Sequence, residues 1–128
     1  KNTIDIRDCG GKERPDVLWL LADRAVILEV DEDQHNSRSC DCEQTRMMNI
    51  TQALGFERTI WIRYNPDAFK GVNSRRYSTA NKRLVLLKQR LNWAFRVDLT
   101  TLKPISVVYL FFDDFLESDV KIYELDCV

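Results

Sequence analysis

Apolar and polar residues follow two rhythms along this chain, and the changes of rhythm mark its elements. Val17–Leu21 and Ala25–Asp31 are short apolar runs rich in β-branched side chains, joined by the polar Ala22-Asp23-Arg24; this predicts a β-hairpin. In the second run Val26, Ile27, Leu28 and Val30 are nearly continuous, as in a strand covered on both faces. Asp31–Asp41 is polar and predicts a loop. From Cys42 to Leu54 the spacing becomes helical, with Met47, Ile50 or Thr51, and Leu54 on one face and Gly55 as the stop. Thr59–Tyr64 predicts another strand, ended by the turn signal Asn65-Pro66-Asp67. Gly71–Thr79 reads as a basic, flexible loop. A second helix is predicted over Ala80–Phe95, with Leu84, Leu87, Leu91 and Phe95 along one stripe and Lys82, Arg83, Lys88 and Arg90 elsewhere. Val107–Phe112 and Val120–Leu125 predict the closing strands. The order β-β-α-β-α-β-β gives an α/β (α+β mixed) domain, a central mixed sheet flanked by helices.

Composition narrows the class. The 128 residues and 15.1 kDa suit one domain, 1–128, and 45% hydrophobic with 30% charged residues excludes a disordered tail. The longest apolar stretch, Ile105–Phe112 broken by Ser106, falls well short of the ~20 residues of a membrane span. Lys1 stands in place of a Met and nothing resembles a signal peptide. The expectation is a soluble intracellular domain, nuclear or cytoplasmic, without a membrane partner, of the kind that can be excised from a longer protein.

Charge changes the picture more. The net charge is −1, yet Lys70, Arg75, Arg76, Lys82, Arg83, Lys88, Arg90 and Arg96 follow one another with no Asp or Glu between them, so this stretch carries +8 and the rest −9. A division of sign this sharp suggests one surface for anions and another for cations, although on charge alone a solvated helix face is the favoured reading. The four cysteines are Cys9, Cys40, Cys42 and Cys127. Without a secretory signal, reduced thiols or a metal come before disulfides, and Cys40-Asp41-Cys42 is too close for an easy mutual bridge.

Three acids sit where a metal would want them. Asp16 follows Pro15 at the entrance to the first strand, and Glu29 and Asp31, two apart, share a face at the end of the second. Antiparallel pairing of these strands puts all three at one end of the sheet. Converging carboxylates repel one another unless a hard divalent cation sits among them, and oxygen ligands suit Mg²⁺ or Mn²⁺. Such an ion polarises a phosphodiester and lowers the pKa of a bound water. Glu32, Asp33, Gln34 and His35 follow at once as further ligands or a base.

Arg14-Pro15-Asp16 followed by Glu29-Val30-Asp31 resembles the PD-(D/E)xK, or restriction-endonuclease-like, nuclease superfamily. The longer pattern adds Glu32-Asp33-Gln34-His35, Cys42-Glu43-Gln44-Thr45-Arg46, Leu54-Gly55-Phe56 and Ile62-Arg63-Tyr64-Asn65-Pro66-Asp67. It is similar to the Vsr-like branch with a Glu-x-Asp-x-x-x-His signature, which has relatives in large DNA viruses and protists. The resemblance spans roughly Cys9 to Phe69 and implies a metal-dependent endonuclease hydrolysing DNA phosphodiesters, with RNA as the other substrate to weigh and a viral factory as a compartment if the source is viral. On it, Asp16 would be the central metal-binding carboxylate and Glu29 the acid of the second core strand. Asp31 stands where most members carry a lysine that orients water and steadies phosphate charge; an Asp would bind metal instead, with His35 moving protons. The absent lysine also favours the other class of reading, a catalytically inactive nucleic-acid-binding or interaction domain on the same fold.

The remaining residues carry two readings each. His35, the single histidine, is a loop side chain or a general acid/base. Glu43 and Arg46, three apart on a helix, are a surface ion pair or a second layer behind the metal ligands. Arg63, inside an apolar strand, needs a buried partner, for which a site carboxylate is a candidate. Cys9, Cys40 and Cys42 with one further ligand could hold a structural Zn²⁺, or they are free thiols. Arg75, Arg76, Lys82, Arg83, Lys88 and Arg90 are the candidate nucleic-acid contacts.

Overall fold

The computed structural model describes residues 14–35, 40–118 and 121–122, with backbone alone at 35, 40, 41, 121 and 122. Seven elements follow the expected order: β1 (Val17–Leu20), β2 (Ala25–Val30), α1 (Cys40–Leu54), β3 (Thr59–Tyr64), α2 (Ala80–Arg96), β4 (Ile105–Leu110) and β5 (Lys121–Ile122). The strands form one mixed sheet in the order β1-β2-β3-β4-β5. β1 is antiparallel to β2; β2, β3 and β4 run parallel; the two-residue β5 is antiparallel to β4.

The helices cover opposite faces, and strand alternation decides which side chain meets which. Ile27, Trp61, Ile105 and Val107 face α1 and pack on its Met47 and Ile50. Val26, Ile60, Ile62, Val108 and Leu110 face α2 and pack on Leu86, Leu87 and Ala94. A strand dressed on both sides must be apolar at successive positions, hence the unbroken Ala25–Leu28 and Ile60–Ile62.

Arginines tie the ends of the α2 layer. Arg24, in the hairpin turn, donates to the carbonyls of Ala94 (3.1 Å) and Val97 (2.8 Å) and so satisfies acceptors that the end of a helix leaves open. At the other end Arg83 is buried, donating to the carbonyls of Tyr77 (2.7 Å), Asn65 (3.1 Å) and Asp67 (2.7 Å). Its guanidinium also lies over the rings of Phe69 and Phe111.

Several expectations shift. α2 buries Arg83, Leu86, Leu87 and Ala94, while Leu84 is 46% exposed; the core stripe is rotated from the predicted Leu84–Leu87–Leu91–Phe95 because an arginine belongs to it. β4 occupies Ile105–Leu110 rather than Val107–Phe112, since Phe111 turns to φ +66° and ends the extended run. β1 stops at Leu20, where the Leu21 amide bonds back to Arg24. α1 begins at Cys40, and the polar loop before it contains a 3₁₀ turn over Glu32–His35. Of Val120–Leu125, only 121–122 lie among the described residues. Among them no helix is long and apolar enough to cross a membrane.

Candidate functional site

Register builds a polar row across the sheet on the α1 face. The β1–β2 pairing of Val17 with Leu28 continues to Asp16 opposite Glu29; Glu29 pairs with Arg63, and Arg63 with Tyr109. Asp16 and Glu29 grip each other's backbone: the Asp16 amide donates to Glu29 Oε1 (3.2 Å), and the Val30 amide donates to Asp16 Oδ2 (2.8 Å). Asp16 is exposed, whereas Glu29 is 3% exposed. Each keeps a second carboxylate oxygen with no hydrogen bond from a described residue.

From above, α1 contributes two side chains at positions i and i+3. Arg46 Nη2 donates to Glu29 Oε1 (3.2 Å) and to the Arg14 carbonyl (3.0 Å). Glu43 Oε2 accepts from Arg63 Nη2 at 2.9 Å. Arg63 in turn holds Asp31 along one edge of its guanidinium, donating from Nε to Oδ2 at 2.6 Å and from Nη2 to Oδ1 at 3.0 Å, the strong planar geometry of a guanidinium–carboxylate pair. Asp31 is fully buried, and its amide is fixed by the Tyr64 carbonyl at 2.7 Å. The buried partner of Arg63 is thus a carboxylate, that of Asp31.

Electrostatics follow from burial. Burial pushes the Glu29 carboxyl above its ordinary value against the pull of Arg46, and the Asp16 charge pushes it the same way. Burial alone would lower the Arg63 guanidinium, but Asp31 and then Glu43 more than offset this and raise it. The Tyr109 phenol is raised, first by burial. Counting Asp16, Glu29, Asp31 and Glu43 against Arg46 and Arg63 leaves an excess of two negative charges when all are ionised.

The predicted residues divide accordingly. Asp16 and Glu29 come together. Asp31, expected among the metal ligands and catalytic groups, faces Arg63 instead, and both its oxygens are engaged. Arg46 and Glu43 reach Glu29 and Arg63 respectively, so each belongs to the layer behind the carboxylates. His35 closes the 3₁₀ turn at the same end of the sheet; its side chain lies outside the described residues, as do that of Cys40 and all of Cys9 and Cys127. Cys42 is disulfide-bonded, which corrects the expectation of reduced thiols at that position; a disulfide sulfur is not a thiolate ligand for zinc. Among the described residues no group of three or more His, Cys, Asp or Glu could hold a metal ion.

The basic residues divide too. Arg83 is buried, and its Nε and Nη1 are taken by carbonyls inside the fold, which gives it a structural task. Arg75, Arg76 and Lys82 lie on the α2 side near the strand ends that carry the site, since α2 starts after β3 and runs back along the sheet. Arg76 pairs with Glu117 at 3.4 Å. Lys88 is further along α2, and Arg90 sits 6.0 Å over the Trp93 ring. Tyr109 joins the row without having been anticipated; its alternation with Ile105 and Val107 was the available signal, but only the β3–β4 register gives it a neighbour.

No protein-family model matches the chain, and neither a curated protein nor a solved structure matches it.

Proposed function

We propose that this domain is a metal-dependent endonuclease whose metal-binding carboxylates are Asp16 and Glu29. The observation behind this reading is the pair itself: two acids from adjacent strands are locked together by reciprocal backbone hydrogen bonds, in a row with excess negative charge. Two carboxylates fit Mg²⁺, which keeps several waters and takes its other ligands from substrate phosphate rather than from an all-protein cage. When bound, the ion supplies Lewis-acid polarisation of the phosphate and a more acidic water.

The chain's own groups have distinct tasks in this reading. Arg46 fixes Glu29 through Oε1, leaving Oε2 for the cation. Arg63 holds Asp31 and Glu43, anchoring α1 over the row. Exposed Asp16 gives substrate an approach from the edge strand. His35, at the end of the turn that follows Asp31, is the candidate to move a proton to the leaving oxygen. The PD-(D/E)xK resemblance of Asp16 and Glu29 points the same way, with DNA as the substrate.

The test is cleavage of supercoiled plasmid with Mg²⁺ or Mn²⁺ by the wild type, Asp16→Ala and Glu29→Ala. The expected outcome is a loss of at least 100-fold in both variants, with Mg²⁺ raising the melting temperature of the wild type alone, as selective binding to the folded state requires. Equal cleavage by both variants removes the assignment. The absent lysine at position 31 favours a second reading, a nucleic-acid-binding domain without chemistry; DNA retardation with no cleavage in either metal decides for it.

A further inference from the structure

The strongest feature left unexplained is the outer face of α2, on the side of the sheet away from the carboxylate row. The helix contains no Asp or Glu at all. Asn81, Val85, Lys88, Asn92 and Arg96, spaced four, three, four and four residues apart, are all exposed, and Lys82 and Gln89 flank them. Lys82, Lys88 and Arg96 form no ion pair with a described residue. An ordinary solvated helix interleaves its cations with acids at i+3 and i+4; this one leaves its charge unanswered.

We propose that this face docks double-stranded DNA, independently of the carboxylates. Charge complementarity names a polyanion, and the form of the face selects among polyanions. From Lys82 to Arg96 the rise along the axis is roughly 21 Å, the span of about six phosphates on one strand. Cations that reach phosphates are mixed with Asn and Gln amides, which read base edges in a major groove wide enough for a helix. The deep, narrow major groove of an RNA duplex does not admit a helix. Single strands would call for exposed aromatic rings to stack on, and the exposed large apolar residues here are Leu84 and Val85. An interfacial membrane helix would need a broader apolar face with Trp or Phe.

The test is fluorescence anisotropy of a labelled 20-base-pair duplex with the whole chain in EDTA, where metal-dependent cleavage is silent. The wild type is expected to bind with a steep salt dependence. Lys82→Gln/Lys88→Gln/Arg96→Gln is expected to bind at least tenfold more weakly at 0.1 M salt. Its log–log salt slope should be smaller by about 2.7, the value for three lost phosphate contacts. Unchanged circular dichroism and melting temperature exclude misfolding, since all three side chains are exposed. Equal affinity and slope for the triple variant overturn the proposal, as does tighter binding of an RNA duplex of the same length or of phosphatidylserine vesicles. The two readings fail separately. A chain that docks DNA on this face but never cuts keeps the docking surface and loses the nuclease; one that cuts while the triple variant binds normally loses the docking surface alone.

Discussion

Each face of the sheet buries two arginines, and the most central of them, Arg63 and Arg83, are satisfied by opposite means. On the α1 face Arg63 meets two carboxylates, Asp31 and Glu43, in a network that continues to Arg46 and Glu29. On the α2 face Arg83 meets three backbone carbonyls and two aromatic rings, with no acid in its hydrogen bonds. Carbonyls are fixed by the fold, so Arg83 is a rivet that joins the loop after β3 to the first turn of α2. Carboxylates can lose charge, gain protons or turn to a cation, so the Arg63 side is the part of the molecule where chemistry can enter. The contrast separates a buried charge that only holds from buried charges arranged in excess.

Removing Arg63 should show the larger effect. Arg63→Met takes both guanidinium hydrogen bonds from the fully buried Asp31, a loss that costs about 3–5 kcal/mol. Denaturant unfolding at pH 7 measures it. The cost should shrink as pH falls toward the ordinary carboxylate range, because a buried carboxylate that has lost its counter-ion takes up a proton rather than stay charged. Asp31→Leu/Arg63→Met should recover the part of the loss that comes from the Asp31–Arg63 pair, while Glu43 stays without Arg63. A double variant no more stable than Arg63→Met would mean that the ion pair is not what holds β2, β3 and α1 together.

Arg83→Met should cost less, about 2–3 kcal/mol, because three carbonyls lose donors but no charge is stranded. The methionine keeps contact with the Phe69 and Phe111 rings. Its cost should be flat between pH 3 and pH 7, the reverse of the Arg63 variant. A pH-dependent cost would show that an acid shares the Arg83 site and would erase the distinction between the faces.

Much of this was legible in the sequence, for reasons that can be named. β3 was read at its observed limits because Thr59–Tyr64 is apolar on both faces apart from Arg63. The hairpin and the meeting of Asp16 with Glu29 followed from antiparallel pairing alone. The ion pair of Asp31 was not legible, because strand parity puts it on the same face as Glu29 but cannot say which way its carboxyl turns; that depended on Arg63 arriving from β3, a matter of register. The α2 stripe was displaced because a pattern reading counts every arginine as solvent-facing, and Arg83 is buried. β4 was drawn two residues late because Phe111 and Phe112 look like strand, while the chain places Phe111 in the left-handed region to seat its ring among Tyr64, Tyr77 and Phe115.

The smallest effect belongs to Tyr109, the far end of the polar row. Burial raises its phenol above the ordinary value of 10.0, the Arg63 charge opposes this, and Asp31 and Glu43 add to it. The folded chain therefore keeps this proton after the unfolded chain has lost it. Above pH 10 the unfolded state binds fewer protons, so the contribution present below that pH drains away as pH rises toward the folded value. Tyr109→Phe should leave stability at pH 7 changed by less than about 1 kcal/mol and make the decline between pH 9 and pH 11 shallower, read from urea midpoints at each pH. Tyr77, raised by burial and by its hydrogen bond to Glu117, is the matching phenol on the α2 side, and Tyr77→Phe tests whether the alkaline decline is specific to the row. If the two substitutions flatten the curve equally, the alkaline decline is not specific to the row. A larger effect at Tyr109 places the alkaline decline in the row, where burial acts first and the Asp31 and Glu43 charges add to it against the pull of Arg63.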